Sequence, residues 1–329
     1  MQNSEKPHSI QIPHRNVSAM TPGTGVAGYY IFQSGSVRNT VSGKTFLSAT
    51  LSDKTGTISA IYWDYSGTAD FEGQVIFVAG QISEFKGALQ ITVEQLRLVD
   101  ERDEVDLEPL VPVAPVNSQE LYQEIEEIVN TVKDPDYLSI CREFLRRHGE
   151  QFRTIPAAKS VHHSFLRGLM MHTGYMLKIA DYLSELYSQV VDRDLLITGT
   201  LLHDFSKREE FVFSSLGLVT DYSVKGQLLG HPVMVAQEAA EIAAELQADE
   251  KKTVLLQHVL LCHHGKPEYG AAVVPMCAEG ELLSLIDNVD ARMEIYRENL
   301  EGTSLGCFSG RIFALDGHRI YRHYEPKES

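Results

Sequence analysis

"LLHDFSK", residues 201–207, closes an apolar helical run (Leu195, Leu196, Ile197, Leu201, Leu202) with the imidazole of His203 and the carboxylate of Asp204, and sets Lys207 one turn further on. An element built for a core suffers from such groups, at about 1–3 kcal/mol for each one left unsatisfied. A single histidine on an apolar helix face is more often a hydrogen-bonded core residue than a ligand, so the reading turns on whether the pattern recurs. It does. In "RGLMMHTGYMLKIADYL" the apolar stripe Leu169, Met176, Ile179, Leu183 takes in His172. His231 stands at a helix start in "LLGHPVMVAQEAAEIAAEL", and His263 and His264 end "VLLQHVLLCHHG" at Gly265, a residue suited to terminate a helix. Asp287 and Asp290 lie three apart in "ELLSLIDNVDARMEIY". A shared cation removes the cost of burial, because imidazole and carboxylate become its ligands. The mixed nitrogen and oxygen set suits Mn²⁺, Fe²⁺, Co²⁺ or Zn²⁺. The candidates outnumber what one ion needs, so two divalent ions are expected.

The 329 residues, 43% of them hydrophobic, leave room for two domains. No run approaches the roughly 18–20 apolar residues of a membrane span. The N-terminal "MQNSEKPHSIQIPHRN" lacks the apolar stretch of a secretory signal. Cys141, Cys262, Cys277 and Cys307 are scattered, as in reduced cytosolic chains. A cytoplasmic protein with no membrane partner is expected. The net charge of −16 is uneven: residues 1–100 carry 7 Lys/Arg and 8 Asp/Glu, leaving 22 and 37 for the remainder. So acidic a second part is no electrostatic clamp for nucleic acid. If it handles polyanions, bound divalent metals would supply the positive charge.

Residues 1–23 read as a flexible tail. From 24 to 100 the pattern is all-β. "TFLSATLSD" and "TGTISAIYWD" alternate in period two around "SDKTG", and "GQVIFVAGQISEF" and "GALQITVEQLRLV" flank Lys86-Gly87. With an opening strand near "GYYIFQSGSV" this makes about five strands, the size of a small Greek-key barrel such as the OB-fold. Of Tyr30, Phe32, Phe46, Tyr62, Trp63 and Phe85, at least half are expected in the barrel core and the rest outside, where rings stack on bases. Residues 101–116, acidic and carrying Pro109, Pro112 and Pro115, read as a semi-rigid connector. Asn117 followed by Glu120 opens a succession of helical patterns that runs to about 300. Residues 301–329 stay an unassigned C-terminal extension. The fold class expected is an N-terminal β-barrel followed by an all-α bundle.

The order His172, His203-Asp204, Asp287 resembles the HD superfamily of metal-dependent phosphohydrolases, and His231 with His263-His264 resembles its two-metal members. The blocks "HHSFLRGLMMHT", "LLHDFSK", "LLGH", "CHHGKPEYG" and "LIDNVDAR", preceded by an OB-like segment, resemble the YhaM-type OB–HD 3′→5′ exoribonucleases over roughly residues 24–300. The resemblance implies His172, His203, Asp204 and Asp287 as core ligands, with Asp204 shared between both ions and His231, His263 and His264 completing the second. Some three-metal relatives place a glutamate four residues before the first histidine. Gly168 stands there, so two ions are implied, Mn²⁺ foremost. A hydroxide held between them would attack phosphorus.

Lys207 is then placed to stabilise phosphoryl charge, and His163 to donate to the leaving oxygen; the adjacent His162 shares that motif. Asp290 reads as a supporting acid rather than a ligand, and His258 as structural. Lys266, Glu268 and Tyr269 lie at the expected mouth, with Arg167 and Lys225 as further phosphate-binding candidates. The function implied is hydrolysis of single-stranded RNA from its 3′ end, with single-stranded DNA an alternative substrate. The competing readings are an HD phosphohydrolase of nucleotides or cyclic dinucleotides, and a non-catalytic RNA-binding protein. A homo-oligomer is compatible with all three.

Overall fold

A computed structural model describes residues 14–100, 103, 105–159, 163–214 and 216–325. The chain divides into two compact units, one running to Val113 together with Ser214–Leu216, the other made of Ala114–Phe213 and Gly217–Ser329.

The first unit is a closed barrel of five strands: β1 (Gly25–Asn39), β2 (Thr45–Asp53), β3 (Gly56–Trp63), β4 (Val75–Phe85) and β5 (Ala88–Leu98). They follow one another in the order β1-β2-β3-β5-β4. The long β1 closes the ring, pairing with β4 through its first half and with β2 through its second, and a bulge between Phe32 and Ser34 makes the turn. Period-two alternation sends Phe32, Leu47, Leu51, Ile58, Ile76 and Ile91 inward. Gly80 sits opposite the bulge that Glu94 makes in β5, where a Cβ would lie 2.2 Å from the Thr92 carbonyl oxygen. Tyr30 and Phe32 are fully buried and Tyr62 packs on the core. Trp63 and Phe85 face outward, with the Phe46 ring tilted against Trp63 at a centroid separation of 5.1 Å.

Two expectations need correction here. Residues 14–23 are not a free tail: Val17 and Met20 join the barrel core, and the Val17 N–H donates to Asp53 Oδ2 at 2.7 Å. Residues 1–13 of that tail lie outside the described residues. The connector also packs in part. Its prolines prevent a helix, but Leu110 and Val111 between them are buried, and the Lys54 N–H donates to the Pro109 carbonyl at 3.1 Å.

The second unit holds α1 (Ser118–Asn130), α2 (Pro135–Phe152), α3 (Gly168–Leu186), α4 (Arg193–Leu202) and the short α5 (Lys207–Glu210). It continues through β6 (Phe211–Phe213), β7 (Val219–Tyr222), α6 (Val224–Leu229), α7 (His231–Glu245), α8 (Glu250–Cys262) and α9 (Ala278–Glu301). Asn117, Asp134, Asp192 and Asp249 cap their helices by accepting backbone N–H groups. Every residue of α4 from Leu195 to Leu202 is buried, so it is the central helix of the bundle. The β6–β7 hairpin interrupts a region expected to be wholly helical; its strands are too short for the alternation to register. Among the described residues no helix is long and apolar enough to cross a membrane.

Candidate metal centre

The last turn of a helix leaves carbonyl oxygens without partners. His203 and His263, just past α4 and α8, answer this with their own rings: Nδ1–H of His203 donates to the Thr200 carbonyl at 2.8 Å, and Nδ1–H of His263 to the Leu260 carbonyl at 2.6 Å. Two other imidazoles are anchored by carboxylates. His172, in the first turns of α3, donates through Nδ1 to Asp290 Oδ2 at 2.7 Å. His231, which opens α7, donates through Nδ1 to Glu210 Oε2 at 2.9 Å. Each anchor fixes the tautomer and directs Nε2 inward, the arrangement that second-layer acceptors impose on metal-binding histidines.

The four Nε2 atoms surround one carboxylate, that of the buried Asp204. His172 and His203 approach its Oδ2 at 3.6 and 3.3 Å, while His231 and His263 approach its Oδ1 at 3.2 and 4.0 Å. Asp287 Oδ1 lies 3.3 Å from His172 Nε2, and the Nε2 atoms of His172 and His203 are 3.3 Å apart. One ring nitrogen each of His231, His263 and His264 falls within a 4.8 Å cluster, and so do the ligand atoms of His172, His203 and Asp204. Divalent cations fit this set. His263 Nε2 and His264 Nδ1 are buried with no hydrogen-bond partner among the described residues, so these neutral rings offer lone pairs to a cation. His172, His203, Asp204 and Asp287 could hold one ion, and Asp204, His231, His263 and His264 a second. The negative ends of α4 and α8 point at the same place and favour positive charge there. Gly168 also has a steric reason: a Cβ would lie 2.1 Å from the His163 carbonyl oxygen, so no glutamate fits at that position.

Charge balance follows from burial. Burial drives His263 well below its ordinary range, helped by the neighbouring imidazoles, and brings His264 down to about 4, so both rings are neutral. Burial also opposes charge on His172, but hydrogen bonds to Asp287 and Asp290 outweigh it and raise the ring to about 10. Lys207 is an ammonium on Asp204 Oδ2 at 2.6 Å. Burial opposes ionisation of Asp204, yet Lys207 and His203 hold the carboxyl well below the usual range.

A cavity of about 710 Å³ opens on the centre. Lys207, Asp287, His264, Lys266 and Tyr269 line it as their motif positions suggest. Other expected residues lie elsewhere. His163 is fully buried away from the cavity lining, and its Nε2 meets Asp290 Oδ2 at 2.8 Å. It braces the acid behind His172 and is not placed to protonate a leaving group. His162 lies outside the described residues. Arg167 caps α3 in a left-handed conformation (φ 65°) and does not line the cavity, and Lys225 is paired to Glu209. Glu268 is exposed outside the lining, and His258 accepts the Met276 N–H at 2.9 Å.

Sequence reading missed Glu210, the acid behind His231, although Asp204, Lys207 and Glu210 recur every three residues. It also missed Lys159, Tyr222, Ser284 and Asn288, which line the cavity from a loop, a short strand and α9. Of these only Ser284 and Asn288, flanking Asp287 on α9, carried a usable signal.

Two outcomes follow for the metal-binding step. A ligand nitrogen must shed its proton, and His172, raised from its ordinary 6.5 to about 10, still holds one at neutral pH. Apparent Mn²⁺ affinity should therefore rise between about pH 6 and about pH 8, with protons released to the buffer in calorimetry. A pH-independent affinity without proton release would contradict this. Replacing Glu210 by Gln should weaken binding by about 10–100-fold with the helical content unchanged.

Comparison with known proteins gives two matches within the chain. Residues 34–99 match the family described as the OB-fold nucleic acid binding domain, and residues 169–292 match the HD domain. Solved structures similar to the barrel include the second OB-fold domain of replication protein A from Methanococcus maripaludis, at 18% identity over 26% of this chain and 95% of that one, TM-score 0.22. A crystallised domain of replication protein A from the same organism shares 21% identity over 27% and 97%, TM-score 0.23. A replication protein A heterotrimer bound to ssDNA shares 19% over 30% and 72%, TM-score 0.20. The chain thus carries an OB-fold nucleic-acid-binding barrel followed by an HD domain of the metal-dependent phosphohydrolase type, with a histidine–aspartate centre able to bind metal.

Proposed function

We propose that the protein is a 3′→5′ exoribonuclease, hydrolysing phosphodiester bonds of single-stranded RNA with Mn²⁺ as the working ion. The observation that carries this reading is the pairing, in one chain, of a nucleic-acid-binding barrel with the Asp204-centred ring of imidazoles. A small nucleotide substrate needs no strand-holding module. The five motif blocks supply the polarity of cleavage through their resemblance to the YhaM-type enzymes.

Divalent ions bound at the centre would activate water and stabilise charge on the phosphoryl oxygens. The chain's own residues do the rest. Lys207, between Asp204 and the cavity, contributes a buried positive charge to a phosphoryl oxygen. Lys159 and Lys266 bring two more ammonium groups to the lining, which an otherwise acidic unit needs in order to admit a polyanion. Tyr269, 69% exposed, offers a ring for the terminal base. On the barrel, Trp63 and Phe85 present stacking surfaces to a strand.

The test is the purified protein with Mn²⁺ and 5′-labelled single-stranded RNA, beside single-stranded DNA, mononucleotides and cyclic dinucleotides. A ladder shortening from the 3′ end is expected. Asp204→Ala should abolish turnover and leave RNA binding within about a few-fold, since the barrel is untouched. Loss of the small substrates alone would point to a nucleotide phosphohydrolase, and binding without turnover to a non-catalytic RNA-binding protein.

A further inference from the structure

The C-terminal extension lies outside the span of the family resemblance, yet it is built. Backbone bonds between Ser309 N–H and the Ile320 carbonyl (2.8 Å) and between Ile312 N–H and the His318 carbonyl (3.0 Å) fold it back on itself. Ile312, Leu315 and Ile320 bury against Ile295, Tyr296 and Leu300 of α9. Its position on that helix is informative. Asn288 and Ala291 line the cavity, and Ile295 is four residues beyond Ala291, on the same face and about 6 Å further along the axis. The extension therefore begins one helical turn past the cavity's edge.

What it exposes is not what a solvated tail exposes. Phe313 is 98% exposed, Phe308 and Tyr324 each 57%, and Tyr321 48%. The Phe308 and Tyr321 rings meet at 5.0 Å, and the Arg319 guanidinium lies 5.2 Å over Phe308. Arg311 and Arg319 are both exposed and carry no ion pair among the described residues. On the adjoining helix Glu294 and Glu301 are paired to Arg297, while Glu298 is exposed with no ion pair among the described residues. Arg319 Nε donates to the Ser309 carbonyl at 2.9 Å, which holds the guanidinium over the ring. Rings interleaved with guanidinium groups suit a chain of stacked bases joined by phosphates, at sequence-tolerant affinity. A polyanion would neutralise Arg311 and Arg319.

We infer that the extension is a second single-strand platform, on which Phe308, Phe313 and Tyr321 with Arg311 and Arg319 hold the nucleotides upstream of the one seated in the cavity. The inference rests on the exoribonuclease reading for the strand's identity and direction. It adds a length dependence: substrates long enough to leave the cavity gain affinity from the platform, and dinucleotides do not.

The test uses the full chain with fluorescently labelled oligouridylates of two and twelve nucleotides, and reads anisotropy at fixed salt. Phe308→Ala/Phe313→Ala should weaken binding of the twelve-mer about ten-fold and leave the two-mer unchanged. Phe313→Ala alone, at a side chain that is 98% exposed, should weaken the twelve-mer in the same sense and guards against a folding defect. Unchanged twelve-mer affinity, or an equal loss for both lengths, overturns the inference. So does a fall in sedimenting mass with RNA affinity intact, which would make the patch a contact between copies. Wild-type hydrolysis of bis(p-nitrophenyl) phosphate with Mn²⁺ is measured in parallel. Its absence would count against the hydrolase reading while the binding comparison still decides the platform.

Discussion

The carboxylate of Asp204 is the point on which the HD unit converges: four imidazoles from α3, α4, α7 and α8 aim Nε2 atoms at its two oxygens within 4.0 Å. No packing preference assembles such a ring. Desolvating several imidazoles and a carboxylate costs more than their mutual contacts return unless further charge compensates them. Lys207 supplies one compensating charge. The remaining donors are lone pairs with a shared focus, and divalent cations are the chemistry that satisfies them. The rest of the unit serves to hold them there. Thr200 and Leu260 carbonyls fix two rings, Asp290 and Glu210 fix the other two, and His163 braces Asp290.

The two units differ in charge and in fold. The barrel is nearly neutral and shows outward rings at Trp63 and Phe85, so it suits modest, sequence-tolerant contact with a strand. On the proposed reading, the acidic unit would repel polyanions in general and admit them at the cavity where Lys159, Lys207 and Lys266 gather. Confining positive charge to the place of reaction is how an acidic protein can act on nucleic acid without binding it everywhere.

Much of this was legible in the residues. The barrel announced itself through period-two alternation, and the metal-capable set through polar residues recurring on elements otherwise apolar, each at a helix end or on a buried stripe. What stayed hidden depends on contacts far apart in sequence. Asp290 meets His163 across 127 positions, and Lys159 and Tyr222 reach the cavity from a loop and a three-to-four-residue hairpin with no periodicity to read. His163 illustrates the opposite error: proximity in sequence to the first ligand suggested a role at phosphorus, but its ring is turned into the core. The segment 14–23 failed for a related reason, since Val17 and Met20 are isolated apolar residues whose burial depends on a barrel built later in the chain.

The proposal that Asp204 would be shared between two bound cations is tested most directly by electron paramagnetic resonance of the Mn²⁺-loaded protein with metal stoichiometry measured on the same sample. The account predicts two ions per chain and an exchange-coupled spectrum that collapses to an uncoupled one in His263→Ala. A single uncoupled Mn²⁺ per chain in the wild-type protein, or none retained, would contradict it.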